Sequence, residues 1–265
     1  MAFDLQGHRG ARGHAPENTL PGFERALALG VDTLELDVGV TRDGVVVIHH
    51  DRRLNPDVAR GPDGSWVAAP GSLIRDLSFD ELRRYDVGRI RPGSEYARRF
   101  PHQQPMDGTS IPRLGDLFLA MKSRAVRFNI ETKVTPEAPD ETLPPEPFAR
   151  ALIAEIRKAG VEGRSIIQSF DWRALKVVER EAGEIATSYL TEGRSSDPVK
   201  VHAAGGRIWS PDFRDLDAAK AATARKLGIK LIPWTVNERG DIARMLQLEV
   251  DGLISDYPER VRDAL

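Results

Sequence analysis

Hydrophobic positions along the chain follow two spacings, one typical of strands and one typical of helices. Residues 31–38 (VDTLELDV) place leucine or valine at every second position from Leu34, so these apolar side chains share one face of an extended segment. Residues 20–30 instead carry apolar side chains three and four positions apart, which is the spacing of a helix. Extended and helical runs of this kind alternate along most of the chain. Such alternation predicts a parallel sheet with helices packed against it.

The number of repeating units narrows the fold class. Counting strand–helix units gives about eight, the number of the (β/α)8 TIM barrel, which is the α/β fold we predict. A doubly wound sheet is the alternative, but no Gly-x-Gly-x-x-Gly sequence follows the first strand. The strands are predicted at residues 3–8, 31–38, 125–132, 164–169, 185–190, 207–210, 230–236 and 252–255, with a further extended run at 45–49. The helices between them are predicted at residues 19–30, 111–122, 148–159, 172–181, 198–204, 215–227, 239–247 and from 258 onward.

Residues 52–111 interrupt this alternation. They are rich in glycine, proline and arginine, and they show helical spacing only near residues 78–84. Connections inside compact domains are usually about 4–6 residues long, so a stretch of this length is either functional or disordered. We therefore predict one domain over residues 1–265, with a loop-rich insertion at about 52–111 after the second strand. The insertion either caps one end of the barrel or is a surface excursion with solvated arginines.

Composition excludes several classes of protein. The 265 residues contain no cysteine, so a disulfide, a thiolate metal site and a cysteine nucleophile are all excluded. The formal net charge of −2 gives no general attraction to nucleic acid, and no apolar run approaches the roughly 20 residues that a membrane helix needs. Residues 1–4 do not resemble a signal peptide, which favours a cytoplasmic protein, with export after signal removal as the alternative. The pattern gives no indication of the oligomeric state.

Candidate chemistry begins with carboxylates near the ends of predicted strands, which is where barrel enzymes carry their active sites. Glu35 and Asp37 are two positions apart on one strand, so their side chains point to the same face. Glu131 ends the next barrel strand and has Lys133 two positions later. Three carboxylates without cysteine are typical of a hard-oxygen site for Mg²⁺ or Ca²⁺. Solvated acids at a strand edge and a plain ion pair between Glu131 and Lys133 are the alternatives.

Two histidines, His8 and His50, also end extended runs. Cleavage of a phosphodiester needs one group to accept a proton from the nucleophile and another to donate one to the leaving oxygen. Imidazole titrates near neutral pH and can do either, although a hydrogen-bonded histidine without a catalytic role is the alternative for each residue. Arg9 and Lys133 are candidates for holding phosphate oxygens.

Two further residues have competing interpretations. Asn18 either orients a ligand or Arg9, or it caps the first helix, a position that Thr19 can also fill. Trp234 ends the predicted strand at 230–236 and either walls the apolar side of a pocket or packs in the core.

These sequence blocks resemble the glycerophosphodiester phosphodiesterase family. The match in order and spacing covers His8-Arg9-Gly10, Pro16-Glu17-Asn18-Thr19, Glu35-Leu36-Asp37, His50-Asp51 and Glu131-Thr132-Lys133. Weaker blocks extend it nearly end to end: Ile111-Pro112-Arg113-Leu114, Gln168-Ser169-Phe170, Trp234-Thr235-Val236-Asn237 and Asp251-Gly252-Leu253-Ile254-Ser255-Asp256. The resemblance implies a TIM barrel that hydrolyses glycerophosphodiesters to sn-glycerol 3-phosphate and an alcohol. It also implies ligands for Mg²⁺ or Ca²⁺ in Glu35, Asp37 and Glu131, a general base and acid in His8 and His50, and phosphate contacts in Arg9 and Lys133.

Two rival functions stay open at this point. A lipid-directed enzyme of the lysophospholipase D type would use the same site and would need an apolar face on the insertion, for which Ile74, Leu77, Phe79 and Leu82 are the candidates. A non-catalytic barrel that only binds glycerophosphodiesters is the other rival.

Overall fold

A computed structural model describes residues 3–265 and shows a ring of eight parallel strands with helices on the outside. The TIM-barrel prediction is therefore confirmed. A ninth strand, β3, runs antiparallel to β2 outside the ring. The strands are β1 (Asp4–Gly7), β2 (Thr33–Val40), β3 (Val46–Ile48), β4 (Arg127–Thr132), β5 (Ser165–Ser169), β6 (Ala186–Thr191), β7 (Ile208–Pro211), β8 (Lys230–Leu231) and β9 (Gly252–Ser255).

Ten helices lie along the described part of the chain. They are α1 (Leu20–Ala28), α2 (Phe79–Leu82), α3 (Glu95–Arg99), α4 (Leu114–Ala120), α5 (Pro145–Ala159), α6 (Trp172–Glu181), α7 (Pro198–Ala203), α8 (Ala218–Lys226), α9 (Arg239–Gln247) and α10 (Pro258–Arg262). The helix predicted at 111–122 is shorter at both ends, and α3 was not predicted because its five residues show no apolar periodicity.

The ring closes between β8 and β9. In sheet order the strands run β8-β7-β6-β5-β4-β2-β1-β9. Regular pairing of β8 with β7 covers only two residues, but the backbone of residues 231–236 continues the ladder. Ile232 N–H donates to Trp209 O at 3.0 Å on one side, and Ile254 N–H donates to Pro233 O at 3.1 Å on the other. The extended segment predicted at 230–236 thus joins the two edges of the sheet.

Strand β2 has an apolar face toward the helices and an acidic face toward the inside of the barrel. Leu34, Leu36 and Val38 lie in the main hydrophobic core together with residues of the surrounding helices. The alternate side chains, Glu35 and Asp37, point the other way into the barrel and are nevertheless almost completely buried. Buried carboxylates are costly unless paired, so their surroundings must compensate for the charge.

Residues 52–111 pack into two small hydrophobic clusters, the larger of which also includes Val47 of β3. They also contact the turn that follows β1, because Gln104 N–H donates to His14 O at 2.9 Å and Gln103 Nε2 donates to Arg12 O at 2.8 Å. These contacts place the insertion against the end of the barrel where β1 ends. No helix among residues 3–265 combines the length and the apolar character needed to cross a bilayer.

Candidate active site

Three carboxylates from two neighbouring strands converge at the carboxyl end of the barrel. Asp37 of β2 is in register with Glu131 of β4. Glu35 lies two residues before Asp37 on β2, so its side chain points to the same face. One oxygen of each of the three side chains lies within 4.8 Å of the other two. All three residues are buried. The register between β2 and β4 is therefore what brings acids almost 100 residues apart in sequence into one cluster.

The three carboxylates carry more negative charge than the neighbouring Arg9 and Lys133 neutralise. Burial, with the charges of Asp37 and Glu131, raises the pKa of Glu35 well above its usual range. Burial also raises the pKa of Glu131, to about 7, although Lys133 opposes the shift. Burial disfavours the charged form of Asp37 too, but Lys133 and Arg9 hold the pKa of this carboxyl well below its usual range.

These residues fit a divalent cation. Three buried carboxylates offer the hard oxygen ligands that Mg²⁺ and Ca²⁺ prefer, and the raised pKa values show that positive charge at this point would be stabilising.

The two basic residues predicted near the site both contact this cluster. Lys133 Nζ lies 2.8 Å from Asp37 Oδ1 and 2.6 Å from Glu131 Oε1. Arg9 Nη1 donates to Glu17 Oε1 at 2.8 Å, and Arg9 Nε lies 3.1 Å from Asp37 Oδ2. Both cations are thus engaged by carboxylates.

Asn18 does not cap the first helix. Thr19 is the N-cap of α1, and its Oγ1 accepts from Gly22 N–H at 3.1 Å. Asn18 instead has a positive φ of 55°, and its Nδ2 donates to Asp37 Oδ2 at 2.8 Å. Its Oδ1 accepts from Asp37 N–H at 3.2 Å. Of the two interpretations of Asn18, helix capping is wrong, and the side chain orients the Asp37 carboxylate.

His8 is held by a carboxylate from the last strand–helix turn. His8 Nδ1 is hydrogen-bonded to Asp256 Oδ1 at 2.7 Å, and His8 Nε2 lies 3.9 Å from Glu35 Oε2. Asp256 also forms a bidentate ion pair with Arg12, whose Nε and Nη2 donate to its two oxygens at 2.8 and 3.0 Å. Burial, then the charge of Arg12, lowers the pKa of His8 to about 4.

His50 is held in the same way, by the carboxylate of the residue that follows it. His50 Nδ1 is hydrogen-bonded to Asp51 Oδ1 at 2.7 Å, and Asn55 Nδ2 donates to Asp51 Oδ2 at 2.6 Å. Burial, then the charge of Arg9, lowers the pKa of His50 to about 4. Both imidazoles are therefore neutral near pH 7. With Nδ1–H donated to a carboxylate, the Nε2 atom is left as the proton acceptor.

One cavity of about 440 Å³ joins these groups. Trp234 lies on its wall beside Phe170, with the two rings edge to face and their centroids 5.5 Å apart. Its indole Nε1 donates to Ser210 O at 2.8 Å, which fixes the ring at the rim. The cavity lining includes His8, Arg9, Glu35, His50, Glu131, Lys133 and Trp234 among the predicted site residues, and Arg12, Tyr96, Arg99 and Gln168 besides.

Comparison with known proteins decides the family. The model of the glycerophosphoryl diester phosphodiesterase family matches residues 8–260. A glycerophosphodiester phosphodiesterase from Caldanaerobacter subterraneus is 31% identical over 254 residues, which cover 95% of this chain and 93% of the relative. The chain belongs to the glycerophosphoryl diester phosphodiesterase family. The resemblance of the sequence blocks is thereby confirmed, and the protein is a phosphodiesterase of this family.

Solved structures agree with this assignment. A Silicibacter pomeroyi protein provisionally assigned as a glycerophosphoryl diester phosphodiesterase superposes with a TM-score of 0.94 at 36% identity, covering 99% of this chain and 92% of the other. A phosphodiesterase from Oleispira antarctica, solved in complex with the product sn-glycerol-3-phosphate, has a TM-score of 0.79 at 22% identity, covering 98% and 96% of the two chains. The second likeness shows the shared fold.

The turn after β1 brings the backbone of this phosphodiesterase into the site. Arg9 has a φ of 51°, and its N–H donates to Glu35 Oε2 at 2.9 Å. Gly10 follows with a φ of 88°, where an added Cβ would lie 2.9 Å from the backbone of Gly22 in α1. Only glycine combines this conformation with this close approach. Gly10 therefore lets the turn fold between the acid strand and α1.

Sequence reasoning assigned no role to several residues that shape the site. Gln168 Nε2 donates to Glu35 Oε1 at 2.8 Å, and Tyr96 donates to Glu17, which holds Arg9. Asp256 stood in a quoted motif block, but it lies 248 positions from His8, so only the closed barrel reveals their contact. The available signal was position: Gln168 and Asp256 both stand at or just after the carboxyl end of a barrel strand.

Proposed function

We propose that this phosphodiesterase hydrolyses glycerophosphodiesters to sn-glycerol 3-phosphate and an alcohol, with a divalent cation and with His8 and His50 as general base and general acid. One observation carries the proposal: the carboxylates of Glu35, Asp37 and Glu131 cluster within 4.8 Å, and both imidazoles line the cavity above Glu35 and Glu131. Family membership supports the same substrate class.

Glu35, Asp37 and Glu131 would hold the cation, either Mg²⁺ or Ca²⁺. When bound, it supplies Lewis-acid polarisation of a phosphoryl oxygen. Asn18 and Gln168 hold the carboxylates of Asp37 and Glu35 in place by hydrogen bonds of 2.8 Å each. Arg9 and Lys133 are close enough to the cluster to balance charge that develops on the phosphate, and Trp234 bounds the cavity on its apolar side.

Proton transfer is assigned to the Nε2 atoms of the two histidines. The base accepts a proton from the attacking hydroxyl or water as its oxygen bonds to phosphorus. The bond from phosphorus to the alcohol oxygen breaks, and the acid donates a proton to that oxygen. An imidazole with a pKa of about 4 is a base in the free protein, whereas an anionic phosphate beside it raises its pKa and favours the protonated acid.

The four apolar residues that were candidates for a lipid-binding face pack against a hydrophobic cluster of the insertion. Ile74 and Leu82 are buried in the core of the insertion, and Leu77 and Phe79 pack against the same cluster. Turnover of lysophosphatidylcholine in preference to glycerophosphocholine would nevertheless restore that alternative.

Product analysis on a panel of glycerophosphodiesters tests the proposal. With Mg²⁺ or Ca²⁺, each substrate that is turned over should yield sn-glycerol 3-phosphate and its free alcohol, detected by phosphorus NMR. A chelator should stop the reaction, and restoring the cation should restart it. Undiminished turnover in chelator would exclude metal dependence, and no turnover of any member of the panel would exclude the substrate class.

A further inference from the structure

We propose that Arg99, on helix α3 of the insertion, is a substrate-binding residue that contacts a phosphoryl oxygen of the bound phosphodiester and of its phosphomonoester product. The inference deepens the proposed function and rests on it. Arg99 lies outside the sequence blocks that resemble the family, and its position inside the insertion would make that segment part of the binding site.

Two aromatic residues dock α3 onto the barrel. Tyr96 donates its hydroxyl proton to Glu17 and accepts from Arg12 Nη1 at 3.2 Å. Phe100, which is buried, lies under the guanidinium of Arg12, with its ring centroid 4.6 Å from the Arg12 Cζ atom. The helix is thus fixed to the same Arg12 that holds Asp256 and His8.

Arg99 lies between these two anchors and lines the active-site cavity. Its Cζ atom is 5.7 Å from the ring centroids of both Tyr96 and Phe100, so the aromatic faces restrict where the guanidinium can go. Among the residues that the structure describes, it forms neither an ion pair nor a side-chain hydrogen bond. A guanidinium that is placed but has no partner is free to bind an anion.

The other cations around the cavity already have carboxylate partners. Arg9 is paired with Glu17 and Asp37, Lys133 with Asp37 and Glu131, and Arg12 with Asp256. A divalent cation on the three acids, together with Arg9 and Lys133, would balance the four carboxylates of Glu17, Glu35, Asp37 and Glu131, and the carboxylate of Asp51 also lines the cavity. A phosphodiester brings one further negative charge, and its monoester product brings nearly two at neutral pH. Among the cations of the described cavity lining, Arg99 is the one without a carboxylate partner, so its guanidinium is available to a phosphate oxygen.

Arginine suits this task for a geometric reason. Its planar guanidinium can donate two parallel hydrogen bonds to phosphate oxygens, whereas lysine acts as a point charge. The side chain is exposed, so its interaction is screened by salt and smaller than that of a buried pair.

The neighbouring Arg98 provides a matched control. It is on the same helix, is exposed, lies outside the cavity lining, and donates to Gly93 O at 3.2 Å. The test compares wild type, R99A, R99K and R98A with cation present, using titration calorimetry with sn-glycerol 3-phosphate and steady-state kinetics with glycerophosphocholine. R99A should weaken product binding and raise KM by about three- to thirty-fold, which is less than the full effect of a hydrogen bond to a charged group because Arg99 is exposed. R98A should stay within about two-fold, R99K should recover part of the loss, and the loss should shrink at high salt.

The outcomes separate this inference from the function on which it rests. If wild type turns over glycerophosphocholine and R99A binds product as tightly as R98A does, Arg99 is not a phosphate contact and only this inference fails. If wild type neither binds sn-glycerol 3-phosphate nor hydrolyses any glycerophosphodiester, the proposed function fails and the inference with it. Equal melting temperatures of R99A and R98A, together with the selective loss in R99A, would establish binding rather than folding as the cause.

Discussion

Asp256 Oδ1 lies 2.7 Å from Nδ1 of His8, across the seam where the last strand–helix unit meets the first. The same pairing recurs at His50, whose Nδ1 is 2.7 Å from Asp51 Oδ1. In both cases the carboxylate fixes the tautomer and the ring orientation, which leaves Nε2 for proton transfer. The partner of His8 is 248 positions away in the sequence, whereas the partner of His50 is the next residue.

The first prediction concerns these partners. Asp256→Asn should lower kcat by as much as about 10⁴-fold, because an asparagine can donate to His8 Nδ1 and favour the wrong tautomer. KM should change much less, since Asp256 does not reach into the cavity. Asp263→Asn, on the exposed end of the following helix, removes the same charge and should leave kcat unchanged. A raised KM with unchanged kcat would instead show that Asp256 acts in substrate binding.

The second prediction concerns pH and stability. Although burial opposes ionisation, Arg12 and His8 hold the pKa of Asp256 well below its usual range. The folded state therefore binds this proton less readily than the unfolded state, where the pKa is about 3.9. The ion pair stabilises the fold above about pH 4, and this contribution is lost as the pH falls further.

Urea unfolding of wild type and Asp256→Asn between pH 7 and pH 3 checks this sign. At pH 7 the variant should lose about 3–5 kcal/mol of unfolding free energy, the cost of breaking a buried pair by removing one partner. The difference should narrow as the pH drops below about 4. A difference that stays constant over the whole range would show that the carboxylate charge is not its source.

The third prediction concerns the turn after β1. Gly10→Ala should destabilise the protein by more than Gly44→Ala, although both glycines have a φ of 80° or more. At Gly44 an added Cβ meets nothing within 4 Å, so the cost is the left-handed conformation alone, about 1–2 kcal/mol. At Gly10 the Cβ also meets the backbone of Gly22 at 2.9 Å. Equal melting temperatures for the two variants would contradict this packing role.

The sequence allowed the acid cluster to be predicted because strand periodicity is local. Glu35 and Asp37 share a face whatever the rest of the chain does, and a parallel barrel requires a strand such as β4 to bring Glu131 alongside. The eight strands followed from the same periodicity. Segment 230–236 was predicted as one strand, and its backbone does join both edges of the sheet.

Contacts that depend on closure and on docking could not be read from the sequence. Asp256 is 248 positions from His8, and Tyr96 is 79 positions from Glu17. Asn18 was ambiguous because asparagine is a common helix cap, and its positive φ and its bonds to Asp37 exclude the cap, whereas a role in orienting a ligand or Arg9 stays a prediction. Helix α3 was missed because none of its five side chains is fully buried and its anchors, Tyr96 and the following Phe100, contact residues far away in the sequence.

The fourth prediction concerns the cation. Glu131→Gln should weaken binding of Mg²⁺ or Ca²⁺ by at least about ten- to a hundred-fold, the loss found even for residues that only support a ligand. Glu137→Gln, on the exposed loop six residues later, is the matched control and should bind the cation as wild type does. Titration calorimetry measures both, and equal affinities in the two variants would remove Glu131 from the ligand set.

The turnover of His8→Ala and His50→Ala, measured beside their cation affinity, is the most direct test of acid–base catalysis at a three-carboxylate site. Each variant should retain cation binding, because neither imidazole belongs to the carboxylate cluster. Each should lower kcat for glycerophosphocholine by at least about 100-fold, the lower bound usual for loss of one acid or base. Near wild-type turnover in either variant, with the cation bound, would contradict the account.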